Sequence, residues 1–334
     1  MVTETVNAST ALVGVDLGGT KIAAALVDPD GALLGPVSSC PTPAHDGPEA
    51  MLDAIAKLII KVVQAGTDDA PGTAVNPVAI GIGAAGVIDP TTGSVISATD
   101  AITDWPGTQI SAGVCQRLAD AGISGGKQLH VHVDNDVNAY AAGEAWLGAG
   151  AGADSALVVA VGTGVGGAIV LGGRVYHGAH CLAGEMGHMP SHLAADETCT
   201  CGRLGHLEAV GAGPQIARRY REATGSTEVT TALVVERLAG AGDATAQRIY
   251  QEAAVALGQA IAAVITVLDP HKVIISGGLA RSGELWWGPL RETVRAELVD
   301  LVAKDLELVP AVLGTNAPII GASHEAWLTL PKQA

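Results

Sequence analysis

Phenylalanine is absent from this chain, and aromatic residues make up only 3% of its 334 positions. A core of native density must then be filled by Val, Ile, Leu and Ala, with the 44 glycines letting backbone pack close to backbone. Basic residues are scarce as well: 18 Lys and Arg stand against 34 Asp and Glu, a formal charge of −16 and a pI of about 4.9. Such an excess of acid repels phosphate polymers and anionic lipid, which excludes nucleic acid and a membrane surface as expected partners. The opening MVTETVNAST has neither a basic region nor an apolar stretch, so secretion is not indicated. Five cysteines are an odd count, ill suited to a disulfide framework, and a reducing cytoplasm is the expected location. Residues 155–173 form an uncharged run about as long as a membrane span, but glycines at 162, 164, 166 and 167 mark it as two buried strands and a turn. The length, with 48% hydrophobic residues, suggests two domains.

What the chain does have is concentrated in residues 184–208, GEMGHMPSHLAADETCTCGRLGHLE. His188, Cys199, Cys201 and His206 are two thiolates and two imidazoles, a donor set that suits a closed tetrahedral zinc site. The C-x-C pair cannot lie along one helix face, so a loop must wrap the ion. Glu185 and Glu208 flank these ligands and would be held by the same loop as a binding site buttressed by metal.

In chain order, an apolar run at 11–15 ends in Asp16-Leu17-Gly18-Gly19-Thr20-Lys21, and a second apolar run at 22–27 returns. Strand, glycine turn and strand leave backbone N–H groups able to face a phosphate, and Asp16 offers a hard oxygen to magnesium. Further strands are expected at 32–38, 78–82 and 129–133, with helices at 48–66 and 108–122. The 129–133 strand ends at Asp134-Asn135-Asp136, which a helix follows; carboxylates at that edge of a sheet sit where open α/β sheets bind ligands, and the same residues are also suited to cap the helix. From 156 the opening pattern recurs as strand, Gly162-Thr163-Gly164, strand, which points to a duplicated architecture with phosphates held between two halves. Helices are expected at 213–223, 231–239, 244–268, 285–302 and 321–330, and strands at 271–276, 306–309 and 317–319. Gly277 and Gly278 end the first of these strands, where a flat base can approach the backbone.

Taken together, DLGGTK at 16, DNDVNA at 134, GTGVGG at 162, GEMGH at 184, CTCGRLGHLE at 199 and SGGL at 276 resemble the ROK family of repressors and sugar kinases. The resemblance spans nearly the whole chain. It implies an α/β fold of two RNase H-like lobes of the actin and hexokinase type with an ATP cleft, divided as 1–134 plus 321–334 and as 135–320 with the zinc loop at 188–206. It implies ATP, Mg2+ and structural Zn2+, and transfer of phosphate to the 6-hydroxyl of a hexose or N-acetylhexosamine, glucose or N-acetylmannosamine foremost. Asp136 looks like the catalytic base, and Asn135, Asp136, Glu185, His188 and Glu208 look like sugar ligands. Asp16, Gly18, Gly19, Thr20 and Lys21, with Thr163 and Gly164, resemble the phosphate and magnesium contacts; Gly277 and Gly278 resemble the nucleotide contacts.

One departure stands out: the family's metal set resembles one His and three Cys, and His206 occupies the position of the third Cys, with His192 a competitor for it. His188 would serve twice, one ring nitrogen on zinc and the other toward a sugar hydroxyl. The variant C-T-C-G-R-L-G-H-L-E tilts the reading slightly away from the plainest glucokinases. A homodimer is expected by resemblance alone. Two alternatives remain. A sugar-responsive regulator would carry a DNA-binding segment ahead of Asp16, where fifteen residues stand; a polyphosphate-dependent kinase would need a basic track that the charge balance opposes.

Overall fold

The computed structural model describes residues 10–99, 101–123 and 129–331; residues 1–9, 100, 124–128 and 332–334 lie outside it. The chain divides into two compact units, Met1–Ala151 with Leu313–Ala334, and Gly152–Val312.

In the first unit the strands are β1 (Leu12–Leu17), β2 (Lys21–Val27), β3 (Ser38–Pro41), β4 (Ala79–Ala84) and β5 (His130–Asn135). They form one sheet in the order β3-β2-β1-β4-β5, antiparallel across β3-β2-β1 and parallel across β1-β4-β5. In the second unit β6 (Ser155–Val161), β7 (Val165–Leu171), β8 (Arg174–Tyr176), β9 (Lys272–Ser276) and β10 (Glu307–Pro310) repeat that order as β8-β7-β6-β9-β10, with the same senses. The duplicated pattern seen at the two glycine turns therefore extends to whole sheets. The uncharged 155–173 run is the β6–β7 hairpin and its following turn, as expected.

Each sheet is covered by helices whose apolar stripes face it. Helix Gly47–Ala65 buries Met51, Leu52, Ile55, Ile59 and Val62 in the first core, a spacing with the helical period. Helix Ala244–Leu268 is long and apolar enough to cross a bilayer, but Ile249, Ala253, Leu257, Ile261 and Ile265 are buried in the second core. Trp286 and Trp287 pack edge to face in the same core.

Four expectations are corrected. The strand placed at 32–38 is reduced to a bridge between Leu33 and Val27, and ladder pairing resumes only at Ser38, opposite Ala24; Gly35-Pro36 interrupts, because proline has no N–H to donate. Residues 317–319 open the helix Ala317–Leu328 instead of forming a strand, with Pro318 in the first turn, where a missing donor costs nothing. The helix placed at 285–302 spans Glu284–Glu297 and stops where Leu298 turns extended (φ −92, ψ 152) and buries its side chain. Finally, helix Asp136–Trp146 and all of Ala317–Leu328 belong to the first unit, so the divisions fall at 151/152 and 312/313 and not at 134/135 and 320/321. These two helices interlock backbone to backbone: a Cβ on Gly143 would lie 2.3 Å from the Ala317 oxygen, and one on Gly321 would lie 1.9 Å from the Ala139 oxygen.

The last helix sits equally close to the sheet. A Cβ on Gly81 of β4 would fall 1.8 Å from the Ala322 carbonyl oxygen, so the backbones must part to admit even a methyl group. Gly81→Ala is expected to cost at least ~1–3 kcal/mol, read as a Tm lowered by ~2–4 °C per kcal/mol. A melting curve superimposable on the parent's would contradict this packing.

Candidate active site

Strand register gathers the first unit's predicted residues at one edge. Asp16 pairs with Gly83 and Gly83 with Asp134, while Leu17 pairs with Ala84 and Ala84 with Asn135. The Gly18–Lys21 turn, the loop after Ala84 and the start of helix Asp136–Trp146 therefore all leave the sheet at the carboxyl end of its parallel strands, where open α/β sheets take ligands. The turn is tight: Gly18 N–H donates to the Lys21 oxygen at 3.1 Å, and Thr42 Oγ1 donates to the Gly18 oxygen at 2.7 Å.

Burial pushes the Asp16 carboxyl up from 3.8 to about 6, against a partial pull downward from the Lys21 ammonium. A carboxylate that costs this much to ionise is one that a divalent cation would hold in its charged form, which fits Asp16 to magnesium. Because the folded value exceeds the unfolded one, the contribution of Asp16 to stability in metal-free buffer declines as pH rises from about 4 to about 6, and stays lost above that. Asp16→Asn is expected to abolish this decline; Tm-against-pH curves that run parallel for the two proteins would exclude it.

At the helix start the capping role goes to one residue. Asn135 Oδ1 accepts from the N–H groups of Val137 (2.8 Å) and Asn138 (3.2 Å), and its Nδ2 donates to the Gly86 oxygen at 2.9 Å. Buried Asp134 accepts from Asn135 N–H and Asn138 Nδ2, so it serves structure. Asp136, half-buried, stands in the first turn of the helix with Oδ1 2.9 Å from Val137 N. Trp105 is fully buried, and its indole N–H donates to the Ala85 oxygen. It braces the 84–88 loop from beneath.

The second unit repeats the arrangement. The Gly162–Gly164 turn closes with Gly162 N–H on the Gly164 oxygen (2.9 Å), and Gly277, at φ +86, turns beside Val161, where a Cβ would come within 2.3 Å of backbone oxygen. Gly162, Thr163 and Gly278 line a cavity of about 660 Å³ in this unit, within the usual range for small-molecule sites. Its far wall is Leu233, Glu236, Tyr250, Arg281 and Ser282, none of which the motifs pointed to. Leu233, Glu236 and Tyr250 come from helices distant in sequence, while Arg281 and Ser282 follow Gly278 directly at the end of a short 3-10 helix.

The loop brings the four Cys and His side chains together. His188, Cys199, Cys201 and His206 bring one ligand atom each to within 4.8 Å of one another, and among the described residues His192 is not part of this group. The two Nδ1 atoms are 3.3 Å apart; Cys201 Sγ is 3.2 Å from His206 Nδ1 and Cys199 Sγ 4.0 Å from His188 Nδ1. A tetrahedral zinc ion requires edges of about 3.3 Å between nitrogens and about 3.6 Å between nitrogen and sulfur. The residues therefore fit the ion, His206 included. A tight turn with Cys199 N–H on the Arg203 oxygen shapes the knuckle, and a bridge between Pro190 and His206 brings the two imidazoles together.

With its Nδ1 in the cluster, His188 directs Nε2 toward Glu185 Oε2 at 3.8 Å. Burial raises the Glu185 carboxyl, His188 opposes that rise, and Glu208 adds to it. Glu208 Oε2 accepts from Val165 N–H at 3.1 Å, joining the loop to the β6–β7 turn. Glu197, inside the loop, receives Arg218 at 2.6 Å and Arg219 at 3.1 Å from helix Gly213–Thr224. Sequence reading missed this anchor because ion pairs across elements leave no mark in local spacing.

The family model that matches the chain is that of the ROK family, over residues 12–328. A glucokinase of Thermotoga maritima is 33% identical over 324 residues, 93% of this chain and 96% of its own. Among solved structures, the ROK hexokinase of Thermus thermophilus superposes with a TM-score of 0.79 at 34% identity, covering 96% of this chain and 98% of the other. A ROK family glucokinase from Streptomyces griseus in complex with glucose and AMPPNP gives 0.74 at 31% identity, covering 95% and 99%. With both sheets, both glycine turns and the Cys/His knuckle in the expected places, the chain belongs to the ROK family.

Proposed function

We propose that this ROK chain transfers the γ-phosphoryl group of ATP to the 6-hydroxyl of a hexose or N-acetylhexosamine, with glucose the first candidate and N-acetylmannosamine the second. The chain is a sugar kinase, a phosphotransferase with an alcohol acceptor. The observation that carries the finer reading is the start of helix Asp136–Trp146, where Asn135 caps the helix and the Asp136 carboxyl stands in its first turn, at the carboxyl end of the parallel strands. A sugar hydroxyl is a poor nucleophile. Its oxygen attacks the γ-phosphorus as its proton passes to Asp136, while the bond from phosphorus to the bridging oxygen breaks and ADP departs.

Asn135, Glu185, His188 and Glu208 hold the sugar hydroxyls, and Glu185 and Glu208 accept from them. The Gly18–Lys21 and Gly162–Gly164 turns present backbone N–H groups to the phosphates. Thr163 and Gly278 border the cavity offered to the nucleoside. Asp16 is the residue suited to hold magnesium, which when bound neutralises charge on the β and γ phosphates. Zinc would be structural, held by His188, Cys199, Cys201 and His206.

Glucose ranks first because the relatives at 31–34% identity named above are glucokinases and a hexokinase, whatever the tilt of the CTCGRLGHLE variant. A coupled assay with ATP over glucose, mannose, N-acetylglucosamine and N-acetylmannosamine tests the proposal, with polyphosphate as donor alongside. Glucose 6-phosphate formed from ATP is the expected product. Absence of ATP consumption with every sugar would replace this reading with a sugar-responsive regulator.

A further inference from the structure

Glu208 ties its own Cys/His loop to the β6–β7 turn, 43 residues away in sequence. Its Oε2 accepts from Val165 N–H at 3.1 Å, and Gly164 leaves the space for it, since a Cβ there would lie 2.7 Å from that oxygen. Its Oε1 accepts a hydrogen bond from Thr200 Oγ1. The same oxygen lies 3.9 Å from Cys199 Sγ. Once Cys199 is a metal-bound thiolate, that neighbour bears negative charge and repels the carboxylate. A hydroxyl donated from the adjacent residue offsets this repulsion and keeps Oε1 where it is, while Val165 fixes Oε2. Each oxygen then has one donor, and the carboxylate has one orientation.

We propose that Thr200, the residue between the two metal-binding cysteines, is a positioning residue: its hydroxyl couples the knuckle to Glu208 and holds that carboxylate in the orientation that receives the sugar. The proposal rests on the sugar-kinase reading for the role of Glu208. It also states what the metal loop does for the site. The four ligands immobilise the Cys199–Cys201 backbone, and the side chain between them passes that rigidity to a carboxylate that is not itself a ligand. Thr200 touches no reacting atom. Its effect falls on sugar affinity and not on proton transfer.

Thr200→Val removes the donor while keeping the shape, and Thr200→Ser restores the donor. Titration calorimetry with D-glucose is expected to show Thr200→Val weakened by about tenfold or more, the range for a lost hydrogen bond to a charged group. KM should rise in step, with kcat within about threefold of the parent, as for uniform binding. Zinc per chain should stay equal to the parent's, and Thr200→Ser should recover most of the affinity. Unchanged glucose affinity in Thr200→Val would overturn the proposal, as would zinc lost in step with affinity or a serine variant that fails to recover.

A second arm needs no sugar. If the hydroxyl acts through Glu208, the Tm loss caused by Thr200→Val shrinks in a Glu208→Gln background; strictly additive losses would overturn the coupling. A parent protein that binds no glucose sinks the sugar reading and leaves this melting cycle to decide the role of Thr200.

Discussion

Asp136→Asn is expected to lower kcat by at least ~10²-fold, the lower end of what a general base contributes, or about 2.7 kcal/mol of transition-state stabilisation. Glucose affinity should be unchanged. The amide keeps the size of the side chain and one acceptor oxygen, so Val137 N–H retains its partner and the helix retains its Asn135 cap. What is lost is the ability to take a proton from the attacking hydroxyl. A barrier effect without a binding effect is the mark of an interaction made only as the proton moves. Single-turnover kinetics with calorimetry on the same preparation makes the separation, and a near-parental kcat would remove Asp136 from the role of base.

Removing zinc should produce the second large effect. Structural zinc sites contribute apparent binding free energies of ~10–16 kcal/mol in isolated peptides. Part of that should reach global stability here, because Cys199 is buried in the second unit's core and Glu197 and Glu208 tie the loop to its surroundings. Cys199→Ser, or treatment with a strong chelator, is expected to lower Tm by about 5 °C or more, using ~2–4 °C per kcal/mol, and to weaken glucose binding at least about tenfold. Elemental analysis of the untreated protein should find about one zinc per chain. Material free of zinc with full activity and an unmoved melting point would refute the metal site, His206 included.

Much of the site was legible because its chemistry is local. The DLGGTK and GTGVGG turns are strand, turn and strand within a few residues, and their partners in the ladder are next in sequence. The Cys/His set lies within 19 residues, His188 to His206, so one loop gathers it. Resemblance to a family supplied the roles proposed for Asp136, Glu185 and Glu208, which spacing alone would have left as a cap and two surface acids. The corrections arose where pairing partners are far apart. Residues 317–319 are as apolar as a strand, and only the close seat of Ala317 against Gly143 makes them the first turn of a helix.

Buried Glu144 shows the same limit. It holds the N–H groups of Ala149 and Leu313, next to where the chain leaves and re-enters the first unit, and nothing around position 144 announces it. The amino-acid order by itself determined the family, the two glycine turns, the Cys/His cluster and the repeated half, because each is written in neighbouring residues or in a spacing. Tertiary structure alone decided which of Asp134, Asn135 and Asp136 caps the helix, where the two units divide, what walls the cavity beside Thr163, and that Glu208 answers to Thr200 and Val165. Those outcomes depend on which atoms meet, some within one turn or loop and others across long stretches of chain, and such meetings are settled by packing and hydrogen-bond satisfaction throughout the fold.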